Sequence, residues 1–308
     1  MYKPELLAAA GSMEQLKAYI TAGADAVQIG EAKYGVRLPG SFSPEDMKAA
    51  VTEAHKLGAK VYAAVNAILD NSLLAELPGY LQTLQEAGVD AVVFGDPAVL
   101  MSARKAAPGM KLHWNAEMTS TNYATANYWG SKGAVRAVLA RELNMDQVLE
   151  FKQKSELQVE VQVHGITNIY HSKRNLVQSY LTHTGKEGFS AAEADRGMYL
   201  IEKERQDERY PVYEDENGTH IMSSEDICML ENLHELMEGR IDSFKIETLL
   251  KSEHYNTVVI QSYRKVIDAY MADPQGYDFN DEWLDAIRAV QDPDRELSYG
   301  FFYKEQVY

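Results

Sequence analysis

One cysteine, Cys228, is all the thiol this 308-residue chain carries. That excludes a disulfide framework, and any metal or iron–sulfur cage built from several thiolates of this chain alone. Basic residues are also scarce: 30 Lys and Arg stand against 46 Asp and Glu, a formal net charge of −16. Phosphate attraction needs a cationic footprint, so the balance argues against a stand-alone nucleic-acid binder. It leaves room for a local basic patch or a basic partner. No apolar run approaches the ~18 residues of a membrane span, and the apolar part of MYKPELLAAAG is too short for a secretory leader. The expected location is therefore cytoplasmic, with no membrane partner. GxGxxG, a Walker loop, a GxSxG elbow and HExxH are all missing. What is present, 45% hydrophobic and 25% charged residues, is the mix of an ordinary folded domain and argues against disorder.

The first two-thirds of the chain alternate short β-type apolar runs with amphipathic stretches that often end in Gly. Glu5–Ala10, Ala26–Ile29, Lys60–Val65, Ala91–Phe94, Lys111–Ala116, Val135–Ala140, Val159–Val163 and Ser243–Ile246 read as strands. Helices follow: Met13–Ala22 between Ser12 and Gly23, one opened by Ser43-Pro44-Glu45-Asp46 and ending near Gly58, and one ending at Ala87-Gly88. Pro97–Ala106, about Asn122 to Lys132, Met145–Lys154 and about Thr257 to Tyr270 complete the set. Eight strand–helix units in strict alternation predict an α/β fold, a (β/α)8 TIM-like barrel over 1–272.

The seventh connection is anomalous. The segment 166–240 is far longer than a normal loop and should lie over the C-terminal face of the barrel, where barrel enzymes place their chemistry. Asn168–Tyr180 reads as helical, Gly188–Glu208 as charged and irregular, and Tyr210–Met222 as a hairpin around Asn217-Gly218. The tail, 273–308, reads as an appendage with a helix near Glu282–Val290.

In a parallel barrel the residue just past each strand should face the loops. Those positions hold Glu31, Asn66, Asp96, Asn115 with Glu117, Arg141 with Glu142, His164, and Lys245 with Glu247. Such a mix suits acid–base chemistry or recognition of a polar ligand. Arg141, Glu142, His164, Lys245 and Glu247 are the candidate catalytic groups, and Glu31, Asn66, Asn115 and Glu117 the candidate binding groups. Each could equally cap a helix or pair with a neighbour. The histidines show no metal-binding spacing, so no metal site is expected. Cys228, after the acidic Ser224-Glu225-Asp226, reads as sitting in the first turn of a helix, activated there or else a buried small hydrophobe. Tyr34, Tyr170 and Tyr180 are candidate stacking groups on the loop face, or core residues.

Five segments together resemble the peptidase U32 family: PELLAAAGSMEQLKAYITAGADAVQIG, the strand-end RELN, VHGITNIYHSKRNL, YPVYEDENGTHIMSSEDICML and DSFKIETLLKSEHYNTVVIQSYRKVIDAY. The shorter, single-barrel members are the nearest match. The resemblance implies a barrel and carries two functional readings. One is proteolysis, including collagen degradation. The other is oxygen-independent hydroxylation of RNA bases or quinone precursors, often by paired members, with a 4Fe–4S cluster on four cysteines.

In cluster-bearing members the segment after the seventh strand reads H-G-x-x-C, with a second Cys seven positions on. Here His164-Gly165 match, but Asn168 and Asn175 stand at the cysteine positions, and 191–199 has no cysteine. Lys245-Ile246-Glu247 match a Lys-Ile-Glu-Gly-Arg pattern, with Thr248 and Leu249 in place of Gly and Arg. The lost Arg is a lost planar anion clamp. The resemblance therefore implies no cofactor bound by this chain alone. It implies a subunit that works with a second, cysteine-complete U32-family member carrying the 4Fe–4S cluster, reaches tRNA through that complex, and offers a pocket to a small anionic co-substrate. The expected product is 5-hydroxyuridine at the tRNA wobble position. The alternatives are a U32-type peptidase and a catalytically silent scaffold.

Overall fold

The computed structural model describes residues 2–115, 121–185 and 197–305. Eight parallel strands form its centre: β1 (Glu5–Ala9), β2 (Ala26–Gly30), β3 (Lys60–Val65), β4 (Ala91–Phe94), β5 (Leu112–Asn115), β6 (Ala134–Val138), β7 (Gln158–Ser172) and, beyond the insertion, β11 (Ser243–Ile246). Each pairs with the next, and β11 pairs with both β7 and β1, so the sheet closes. This is the TIM-like α/β barrel that the alternation predicts. No helix among the described residues is long and apolar enough to cross a membrane.

Local chemistry sets the helix ends. The side chain of Ser12 accepts from the Gln15 amide to start α1 (Met13–Ala22), and Gly23 stops it at φ +117°. Ser43 and Pro44 open α2 (Pro44–Lys56), Asp70 caps α3 (Asn71–Ala87), and Asp96 caps α4 (Pro97–Ala106). Asn122 caps α5 (Tyr123–Ser131), and a reciprocal Asn144–Gln147 box starts α6 (Met145–Lys154). These helices pack on the outward strand residues. Val159, Val161 and Val163 of β7 and Phe244 and Ile246 of β11 all lie in that outer core. Each such burial is worth about 1.5–3 kcal/mol.

The inward residues are different. A small apolar layer (Leu7, Ala26, Tyr62, Ala91, Val93 and Val138) fills part of the lumen. The strand VEVQV explains the rest: its valines face the helices, so Glu160 and Gln162 face inward.

A bulge breaks this alternation. Lys245 pairs with Gln162, but Ile246 pairs with His164, so Val163 is the extra residue on β7. One added residue moves everything after it to the other face. Next to it, Gly165 sits at φ +100°, and a Cβ there would lie 2.2 Å from the Glu247 carbonyl oxygen. No other residue type fits this crossing of backbones.

Past the bulge β7 leaves the barrel and continues to Ser172. Asn168–Ser172 is therefore strand where the sequence reads as helix, and the helix α7 (Leu176–His183) starts later. Antiparallel pairing to the insertion overrides the helical pattern there. The insertion adds β8 (Tyr199–Leu200), β9 (Tyr210–Asp215) and β10 (Gly218–Cys228), with Gly218 opposite Asp215 across the expected hairpin. Of the irregular segment 188–208, residues 188–196 lie outside the described residues. A short helix, α8 (Leu233–Glu238), leads back to β11, and α9 (Glu253–Ala272), capped by Ser252, completes the ring. The tail carries α10 (Glu282–Arg288) and a two-residue strand, β12 (Leu297–Ser298), paired with β10. Arg295 fixes it there through two bonds to the Asp226 carboxylate, from Nη2 at 2.8 Å and Nε at 3.2 Å. Arg295 and Lys251 hold the buried Asp226 carboxyl well below its usual range against the opposing effect of burial.

Cys228 closes β10. It lies on a strand and not in the first turn of a helix. Burial pushes its thiol up.

Candidate functional site

The lumen is layered by charge. At the N-terminal end Glu5 takes Arg136 Nη1 at 2.7 Å, the Tyr62 hydroxyl at 2.6 Å and Lys60 at 3.0 Å. Burial alone would raise the Glu5 carboxyl, but these partners outweigh it and hold it down to about 2. The same Arg136 nitrogen reaches Glu160 Oε2 at 3.1 Å. Conserving such a charge stack in a low-dielectric interior requires that every ion be matched.

Above it lies the mouth, at the C-terminal ends of the strands. Glu160 sits at its floor, fully buried, with Oε1 lacking a hydrogen-bond partner. Burial pushes its carboxyl up, while Arg136 and Lys245 pull it down. Lys245 Nζ stands 3.4 Å from Glu247 Oε2. Arg141 Nε donates to Gln162 Oε1, and Gln162 Nε2 in turn donates to the Ile166 carbonyl at 3.1 Å. The amides of Gln28, Asn66 and Asn115, together with Arg37, line the remaining wall. Three cations (Arg37, Arg141, Lys245) thus face two carboxylates (Glu160, Glu247), a positive excess on an acidic chain. The enclosed space is about 10 Å³, close to the room one water occupies.

Arg141, Lys245, Glu247, Asn66 and Asn115 therefore come together, as predicted from the strand ends. Other candidates do not. His164 is on the far side of the sheet: the bulge turns it outward, where Nε2 meets the Tyr255 hydroxyl at 2.9 Å. Burial lowers it to about 3, so it is a neutral core histidine. Glu31 falls one residue out of the inward alternation of Ala26, Gln28 and Gly30. It lies beside Lys33 and the acidic Glu216 and Glu76, with burial pushing its carboxyl up. Glu142 faces a separate cleft of about 980 Å³ between the insertion and the tail, which Arg141 also lines. Asp96 caps α4. Glu117 lies outside the described residues. Of the tyrosines, Tyr34 is buried and stacks on Tyr80 at 3.9 Å between centroids, whereas Tyr170 and Tyr180 are exposed.

The strand-end rule missed Gln28, Glu160, Gln162 and Arg136 because they lie within strands; their signal was a polar residue flanked on both sides by aliphatic ones. Arg37 had none, since a loop delivers it.

The donor set does not fit a four-thiolate cluster. Asn168 and Asn175 offer no thiol, and Cys228, buried under Tyr263, is the chain's one sulfhydryl. No group of three or more His, Cys, Asp or Glu suited to a metal is found among the described residues.

A family model for peptidase family U32 matches residues 11–307. The tRNA hydroxylation protein P2 of Bacillus subtilis is 51% identical over the full length of both chains. The tRNA hydroxylation protein P1 of the same organism is 33% identical over 99% of this chain and 74% of its own length. A solved structure of a U32 peptidase superposes with a TM-score of 0.51 at 16% identity, covering 80% of this chain and 93% of that one.

Proposed function

The chain belongs to peptidase family U32, and from that premise we propose that it is a subunit of an oxygen-independent system converting the wobble uridine of tRNA to 5-hydroxyuridine. The observation that carries this reading is the 51% identity, end to end, with the tRNA hydroxylation protein P2. A second family member with a full cysteine set holds the 4Fe–4S cluster, which supplies electron transfer. The P1 and P2 proteins of one organism, both similar to this chain, support a paired arrangement. With a net charge of −16 on this subunit, the partner makes most of the contact with tRNA. The complex works in the cytoplasm.

This chain's own contribution is the mouth. Arg141 and Lys245 provide the positive wall for a small anionic co-substrate, Asn66 and Asn115 orient it, and Glu247 holds Lys245 in place. The pocket as it stands admits about one water, so a larger co-substrate requires the mouth to widen. Glu31, Glu142 and His164 have no part in this pocket. The peptidase reading gains nothing from the geometry, since no Ser or Cys among the described residues lines the mouth and Cys228 is buried with a raised thiol. The test is affinity purification of the tagged chain from its host. A cysteine-complete U32 protein should co-purify, carrying iron; recovery of the chain alone under gentle conditions refutes the pairing.

A further inference from the structure

Arg37 reaches the mouth from the loop between β2 and α2 in a left-handed backbone conformation, φ +56°. A non-glycine residue rarely adopts this conformation and needs surrounding contacts to stay there. Two asparagines supply them. On the barrel side, Asn66 Oδ1 accepts the Val36 amide at 3.0 Å. On the outer side, Asn217 at the tip of the insertion hairpin donates through Nδ2 to the Ala32 carbonyl at 3.1 Å and the Gly35 carbonyl at 3.2 Å. The tip is itself fixed. The Asn217 amide donates to Asp215 Oδ1 at 2.8 Å, and its carbonyl meets His171 Nε2 at 2.9 Å. The next residue, Gly218 (φ +106°), leaves no room for a Cβ against the Ser172 carbonyl.

We infer that Asn217 is a positioning residue that latches the β2–α2 loop and so fixes Arg37 as a substrate-contacting cation of the mouth. The inference rests on the mouth being the functional pocket. It gives the insertion a role the family resemblance does not: its hairpin tip completes the wall of the barrel pocket 185 residues away in sequence from Ala32. Asn217 touches no ligand and acts only through Arg37.

The experiment combines hydrogen exchange on the purified chain with nucleoside analysis of tRNA from a deletion strain complemented by variants. Asn217→Asp keeps a residue suited to the turn and removes both donors; Asn217→Ser is the second variant should the first fold poorly. Loss of two neutral hydrogen bonds should speed exchange of the Tyr34, Gly35 and Val36 amides about tenfold or more, with the barrel strands unchanged. 5-Hydroxyuridine should fall to the level given by Arg37→Ala, and the double variant should fall no further. A purely structural role would instead lower abundance and add to the effect of Arg37→Ala. Unchanged exchange overturns the latch. Faster exchange with wild-type modification, or a double variant below either single one, overturns the positioning. Wild-type modification in Arg37→Ala, with loss in Lys245→Met, overturns the role of Arg37 and leaves the mouth intact. Where the deletion itself leaves tRNA unchanged, the proposed function fails separately, and the exchange result alone decides the latch.

Discussion

Arg136→Met strikes the lumen where its charges meet. Arg136 is buried and neutralises two carboxylates at once, Glu5 at 2.7 Å and Glu160 at 3.1 Å. Removing one member of a buried ion pair costs about 3–5 kcal/mol, because the survivor stays desolvated and unmatched. Unfolding entropy of about 2.1 cal/mol/K per residue over 308 residues makes that a Tm drop of roughly 5–8 °C. Calorimetry across pH carries the sharper test. In the wild type Glu5 lies at about 2, below its ordinary 4.5. Its contribution is therefore present above pH 4.5 and is lost as pH falls toward 2. In Arg136→Met the sign reverses. Without the cation, burial lifts Glu5 above its unfolded value and pushes Glu160, already raised by burial, further up, so the penalty is full at neutral pH and shrinks as acidification protonates them. Adding Glu5→Gln and Glu160→Gln to Arg136→Met should recover most of the lost stability. A Tm within 1 °C of wild type, or a penalty that does not change with pH, would refute the charge-stack account.

Three further outcomes follow from the same geometry. His164 and His113 are both buried with depressed pKa values, so each should give a stability slope of about 1.4 kcal/mol per pH unit as pH falls below about 6.5; His164→Gln should remove one such slope in urea titrations while leaving tRNA modification per folded molecule unchanged. Cys228 should resist iodoacetamide in the native protein and react only on unfolding, and Cys228→Ala should keep wild-type 5-hydroxyuridine. Arg295→Ala leaves Asp226 with Lys251 and Gln291 only, so proteolysis should release the tail beyond Gln291 while the barrel survives, and an unchanged cleavage pattern would show that Arg295 does not hold it.

Most of the fold was legible because barrel units write their own punctuation. Ser12 and Gly23, Ser43-Pro44, Ala87-Gly88 and Asp96-Pro97 mark helix ends through local hydrogen bonds that need no tertiary information. Lys60–Val65 and Ala91–Phe94 are bounded by the same signals. The extension of β7 was not legible, because Asn168–Ser172 becomes strand only through pairing with β10, about fifty residues later. Half of the site was readable for a similar reason. Asn66, Asn115, Arg141, Lys245 and Glu247 follow from strand ends, but strand parity holds only where register does. One extra residue at Val163 sends His164 to the helices, and nothing in the sequence marks that bulge except Gly165 after it. Arg37 depends on a loop and a distant hairpin tip, so no local pattern announces it.

The most direct test of the account is the 5-hydroxyuridine content of tRNA from a strain lacking this chain, measured by nucleoside mass spectrometry after complementation with wild type or Lys245→Met. Deletion in a strain with no redundant route should abolish the modification, the wild type should restore it, and a stably folded Lys245→Met should not. Full modification in the deletion strain, or full restoration by Lys245→Met, contradicts the account.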